Sequence, residues 1–145
     1  MSTSAIITIR YSDNVVFAAL TIQTDAFLDK MLKNINASLS KLDNDGHSDR
    51  LSWNMLATKM IGSIIAKYPK IALLNLEYLE EAKEKGYYIY HVDIIPNKDK
   101  YSEKKNDILD SVVIQASSGS GKNILDCYLG KASKKLLAYN KEQLQ

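Results

Sequence analysis

In "SAIITIRYSDNVVFAALTIQ" two β-branched, apolar runs flank the polar tetrad "YSDN", a pattern that predicts a strand, a tight turn and a second strand. From Thr24 the period changes. Phe27, Leu28, Met31, Leu32, Ile35, Leu39 and Leu42 recur at three and four residues, which predicts an amphipathic helix with Thr24 or Asp25 at its first turn. "DNDGHSDR" is a polar break. Trp53, Leu56, Ala57, Met60, Ile64 and Ile65 then resume helical spacing until Tyr68 and Pro69 end it.

"KIALLNLEYLEEAKEKG" suits either a buried strand with a charged turn or a third helix, and we read it as strand, then turn. "YYIYHVDIIP" is aromatic and β-branched at nearly every position, as a sheet-core strand should be, with Pro96 closing it. "NKDKYSEKKND" reads as a solvated loop, "ILDSVVIQA" as another strand, "SSGSGK" as a turn and "NILDCYLGKASKKLLAY" as a helix, with Ile124, Leu125, Tyr128 and Leu129 near the sheet. The pattern therefore predicts a single α+β domain over residues 1–145, with antiparallel sheet packed by helices in ββααβββα order.

Composition narrows the function classes. Apolar residues make up 46% and charged residues 25%, which is ordinary globular composition. Lys and Arg total 19 against 17 acidic residues, and only Arg10 and Arg50 are arginines, so neither net charge nor guanidinium supply points to nucleic acid. The start "MSTSAIITIRYSD" carries no basic segment ahead of a long apolar core, and no window approaches a membrane span. The lone Cys127 cannot form an intramolecular disulfide, which fits a reducing compartment and an inert thiol. A soluble, cytoplasmic protein without cofactor is expected.

Candidate chemistry is sparse. "QASSGSGKNILD" is reminiscent of a nucleotide-binding loop, but that loop requires G-x-x-x-x-G-K-[ST], and here Ala116 and Asn123 occupy its first and last fixed positions. A nucleotide is not expected. His47 lies in a polar turn and His91 in a strand, neither with metal-ligand spacing, so no metal site is predicted. Asp93 shares a strand face with His91, which favours a structural pair over a catalytic dyad. Tyr87, Tyr88 and Tyr90 suit core filling and could also stack a ligand. Removal of Met1 would expose Ser2, and an N-terminal Ser or Thr such as Ser2 or Thr3 carries nucleophile and base in one residue.

"NVVFAALTIQTDAFLDKMLKNI", "LSWNMLATKMIGSIIAKYP", "YYIYHVDII" and "DSVVIQASSGSGKNILDCYLG" occur in the same order as strand-to-helix, second-helix, strand and glycine-turn segments of one family. Over roughly residues 5 to 130 the chain resembles the N-terminal-nucleophile hydrolases of the proteasome β-subunit and HslV type. That resemblance implies a reduced version of their sheet and helix layers. In one alignment Met1 falls just before the family's second hairpin, so the catalytic threonine, aspartate and lysine have no counterparts. In the other the nucleophile falls near Thr3 or Ser4, but Leu20 stands at the aspartate and Asn36 near the lysine.

Three functions are weighed. The first is a non-catalytic proteasome-like protein that associates with a protein partner or itself through the outer faces of residues 26–42 and 51–68. The second is an N-terminal-nucleophile peptidase or amidohydrolase using Ser2 or Thr3, with Lys30 or Lys33 supplying charge. The third is a small viral or bacterial binding protein that sequesters a ligand or an enzyme, for which Tyr88, Tyr90 and Lys122 would line the pocket.

Overall fold

The β-branched runs at the start of the chain pair as an antiparallel hairpin, β1 (Ala5–Tyr11) and β2 (Val16–Ile22), with Ile7 opposite Leu20 and Ala5 opposite Ile22. The computed structural model describes residues 4–11, 15–23, 27–40, 50–68, 70–94 and 112–144. The predicted cap residues Thr24 and Asp25, the turn bearing His47, Pro96, and Ser2 and Thr3 all lie outside them. The two expected helices form as α1 (Leu28–Ser40) and α2 (Arg50–Lys67). Leu28, Met31, Leu32 and Ile35 of α1 and Ala57, Met60 and Ile64 of α2 are buried in the same core, as their spacing requires.

The ambiguous segment contains both of its alternatives. Ile71–Leu73 is a short strand, β3, and after a 3-10 turn at Leu76–Tyr78 the charged stretch forms α3 (Leu79–Glu84) rather than a plain turn. Exposed ion pairs Glu80–Lys83 and Glu81–Lys85 support it from outside, Ala82 is buried inside, and Gly86 at φ 79° ends it in the left-handed conformation that glycine accepts.

Strands β4 (Tyr88–Ile94) and β5 (Val112–Ser117) form as expected. The next segment differs. Asn123–Tyr128 is a sixth strand, β6, antiparallel to β5, and only from Leu129 does the helix α4 (Leu129–Gln143) run. Ile124, Leu125, Tyr128 and Leu129 fit helical spacing, but Leu125 and Cys127 also alternate as a strand, and the turn before them folds the segment back onto β5, whose hydrogen bonds decide the matter. Tyr128 is still extended, so strand passes into helix without a loop.

The strands make one six-stranded sheet in the order β3-β2-β1-β4-β5-β6. β1 and β4 run parallel and in register from Ala5 opposite Tyr88 to Tyr11 opposite Ile94, so the sheet is mixed rather than wholly antiparallel. The parallel pair occupies the middle, where burial on both faces suits its nearly continuous apolar sequence. The class is α+β, in ββααβαβββα order. Helices α1, α2 and α4 cover one face, where Ile7, Tyr90, Val92, Ile114 and Leu125 join their apolar residues in a single core. Each such side chain contributes on the order of 1.5–3 kcal/mol by burial. α3 lies over the other face, where Ile6 and Thr21 share a small cavity with Tyr78 and Ala82.

Candidate functional site

Side chains alternate along β4, so its aromatic residues divide between the two faces. Tyr88 and Tyr90 point to the helix side, their rings 6.2 Å apart and tilted by 41°. Together with Phe27, Ile124, Leu136 and Tyr139 they line a cleft of about 300 Å³ between the start of α1, the sheet and α4. Asp29 and Asn140 add polar groups at its wall. Lys122 is not in the wall itself, but its ammonium stands 5.6 Å from the centre of the Tyr139 ring, a cation–π contact at the border of the cleft. The three sequence-predicted binding residues therefore converge on one place. Tyr90 is its floor: fully buried, its phenol is held protonated well above the usual tyrosine range, first by burial and then by Tyr88, Tyr68 and Asp29.

The other predicted chemistry is dispersed. Lys33 is exposed on α1, and Lys30 lies 5.3 Å above the Tyr68 ring. His91 and Asp93 do share the opposite face of β4, but each has its own partner. Thr8 on β1, directly across the parallel pair, hydrogen-bonds Nδ1 of His91. Arg10 grips Asp93 with both arms of its fork, Nε donating to Oδ1 at 2.6 Å and Nη2 to Oδ2 at 2.9 Å, and Nη2 also donates to Gln115 Oε1 at 3.4 Å. Burial, then Arg10 and Lys83, push the His91 imidazole below its ordinary value, while Asp93 pulls the other way. His91 is thus the neutral member of a row of polar side chains. Burial likewise pushes the Cys127 thiol up, which keeps it a poor nucleophile.

The glycine-rich turn has a different setting from a nucleotide loop. It joins β5 to β6 as a hairpin, closed by Ser118 N–H to Lys122 O at 2.8 Å and Gly121 N–H to Ser118 O at 2.9 Å, and no helix begins at its end. Gly119 is required there by contact: a Cβ would lie 2.1 Å from the carbonyl oxygen of Gly86, where the turn after α3 crosses it.

The chain matches no protein-family model, no curated protein and no solved structure. A functional reading therefore rests on geometry. Among the described residues no three His, Cys, Asp or Glu side chains gather as metal ligands, and no helix is long and apolar enough to cross a membrane. One arrangement that can engage another molecule is the cleft, with aromatic rings from Tyr88 and Tyr139, apolar walls from Phe27 and Leu136, and a cation at its edge. Sequence reasoning missed Tyr139 and Phe27 as members of it. Phe27 reads as a core position from its helical spacing, yet it precedes the first turn of α1 and is 49% exposed.

Proposed function

We propose that the chain is a small binding protein whose aromatic cleft holds a flat, largely apolar ligand. The observation that carries this reading is the convergence of Tyr88, Tyr90 and Tyr139 on one cavity of about 300 Å³, with Lys122 over the outer ring. That volume stands at the lower end of small-molecule sites, and the lining of rings and aliphatic side chains with a few polar groups is the usual one. A ring sandwiched against Tyr88 or Tyr139 gains stacking beyond its buried area. Binding without turnover, in a reducing compartment where Cys127 stays a thiol, is the activity this supports.

Titrating indole into isotope-labelled protein tests the reading by NMR. Saturable shifts are expected at Tyr88, Ile124 and Tyr139, and Tyr88→Ala should raise the half-saturating concentration about three- to tenfold, the range of one aromatic pair. Shifts without saturation, or shifts confined to α2, would sink it.

A second reading, association with a protein partner or another copy, has its own observation. On the outer side of α2, Met55 is 54% and Ile65 44% exposed, beside Gly62 and the exposed Thr58 and Lys59, so apolar side chains interrupt its polar face. Residues 51–68 are one of the two outer faces, with 26–42, that the proteasome-like reading offers as candidate contact surfaces. Size-exclusion chromatography with light scattering distinguishes it: a mass above that of one chain that falls with Met55→Lys and Ile65→Lys supports association, and a monomer at every concentration removes self-association.

A further inference from the structure

The glycine-rich turn borders a second and larger pocket on the opposite face of the sheet, about 420 Å³, whose other walls are Lys83, Tyr87, Ile89 and His91. Ser118 lies at the boundary of both cavities. Unlike the cleft, this pocket is rich in hydrogen-bond donors. The bonds that close the turn use the N–H groups of Ser118, Gly121 and Lys122, and leave those of Gly119 and Ser120 outside them. Ser118 Oγ already accepts from Lys122 N–H at 3.2 Å and lies 3.0 Å from Ser120 Oγ. With Ser118 donating across that contact, the Ser120 hydroxyl keeps its own proton for another acceptor. Lys83 supplies an ammonium from α3 on the far side, its companion Glu80 at 3.3 Å lying outside the pocket walls.

We propose that this pocket binds the phosphate group of a small phosphorylated molecule, held between the Gly119–Ser120 amides and hydroxyl and the Lys83 ammonium, with Tyr87 and Ile89 against the remainder. The chemistry selects phosphate over carboxylate. The planar fork that would match a carboxylate, Arg10, is already committed to Asp93, and the remaining donors are single points that approach from two different elements. Successive turn amides form the kind of concave cradle that accepts a tetrahedral anion. The mode differs from the nucleotide loop whose lettering "GSGK" resembles, because Lys122 turns to Tyr139 on the other face and the lysine of this site comes from α3.

His91 reports on the occupancy of this pocket. The groups facing His91 are Thr8 and Arg10 from β1, Asp93 on its own strand, Gln115 from β5 and Lys83 from α3, with Asp126 of β6 beyond Gln115. Each cation has a carboxylate beside it, Asp93 on Arg10 and the exposed Glu80 at 3.3 Å from Lys83. Thr8 occupies Nδ1, so Nε2 is the ring nitrogen left to meet a ligand. A bound dianion favours the imidazolium and raises the His91 titration midpoint.

The test is NMR titration of the labelled full chain with inorganic phosphate, sulfate and acetate in turn, at constant ionic strength. Saturable shifts at Gly119, Ser120 and the His91 ring are expected with phosphate and sulfate and not with acetate, together with an upward move of the His91 midpoint. Lys83→Gln, an exposed change, should weaken phosphate about three- to tenfold, the share of one charge-assisted bond trimmed by solvent. Ser120→Ala should weaken it about threefold. Tyr88→Ala, on the other face, should leave phosphate binding unchanged, which separates this site from the aromatic cleft. Acetate binding as well as phosphate, linear shifts spread over surface lysines, or saturation indifferent to Lys83→Gln would each overturn the proposal.

Discussion

Across the middle of the sheet, Leu20, Ile7, Tyr90, Ala116 and Leu125 lie in one row, and one residue further along each strand Ala19, Thr8, His91, Gln115 and Asp126 lie in the next. The first row faces three helices and is all apolar. The second faces the opposite side and is mostly polar, yet Thr8 is only 1% exposed. Because strand side chains alternate with period two, a shift of one position converts a packing surface into a hydrogen-bonding one without moving the backbone. The packed core and the row of polar side chains are thereby placed on opposite sides of the same strands, with the aromatic cleft opening at the border of the packed side.

Truncation should reveal that division most strongly. Ile7→Ala, at a fully buried position of the central strand, is expected to cost about 2–5 kcal/mol in urea unfolding, through lost transfer energy and the cavity left behind. Gln115→Ala, one row over and half-buried, should cost about 1 kcal/mol or less, the worth of one long hydrogen bond. Equal losses would mean that the two faces do not divide the work.

The next effect concerns the ion pair. Asp93→Ala leaves the Arg10 guanidinium without its carboxylate in a place only 19% exposed, and about 2–3 kcal/mol should be lost, somewhat less than for a fully buried pair. Replacing both partners, Arg10→Met with Asp93→Leu, should recover most of that, since desolvation largely offsets what such pairs gain. If the double variant is instead as unstable as the single one, the polar row is a stabilising device and not a reserved surface.

Where the two faces meet at the β5–β6 turn, Gly119→Ala should cost about 1–3 kcal/mol, because the new methyl meets backbone at Gly86 and not a yielding side chain. The same change should alter the amide shifts of Ser118, which borders both pockets, and of Ser120, which borders the second. A variant of wild-type stability would show that the two turns are free to separate.

The hairpin, α1, α2, β4 and β5 were legible because in each the apolar period matches the element and one side is buried. β6 was not, since its apolar residues satisfy strand and helix spacing alike and only pairing with β5 chooses between them. α3 was hidden for a different reason: Ala82 is its only buried side chain, so no periodic signal marks it. Within the site, Tyr88 and Tyr90 were readable as neighbours on one strand face. The pairs Thr8–His91 and Arg10–Asp93 were not, because each spans 83 residues and exists only through the parallel register of β1 and β4. No local motif encodes that register.

The smallest expected effect bears most directly on the polar row. Burial first, then Arg10 and Lys83, hold the folded-state titration of His91 below the ordinary imidazole value of 6.5. Between those two values the unfolded chain binds the proton more readily than the folded one, so acidification favours unfolding. The contribution is therefore fully present above about pH 6.5, declines as pH falls through the folded value, and is constant below it. Urea midpoints of the wild type and of His91→Asn, compared at about pH 7.5 and about pH 5.5, report it, because the variant lacks the titrating imidazole. The wild type should lose more stability on acidification than the variant does. The opposite sign would mean that Asp93 outweighs burial and both cations together at the imidazole.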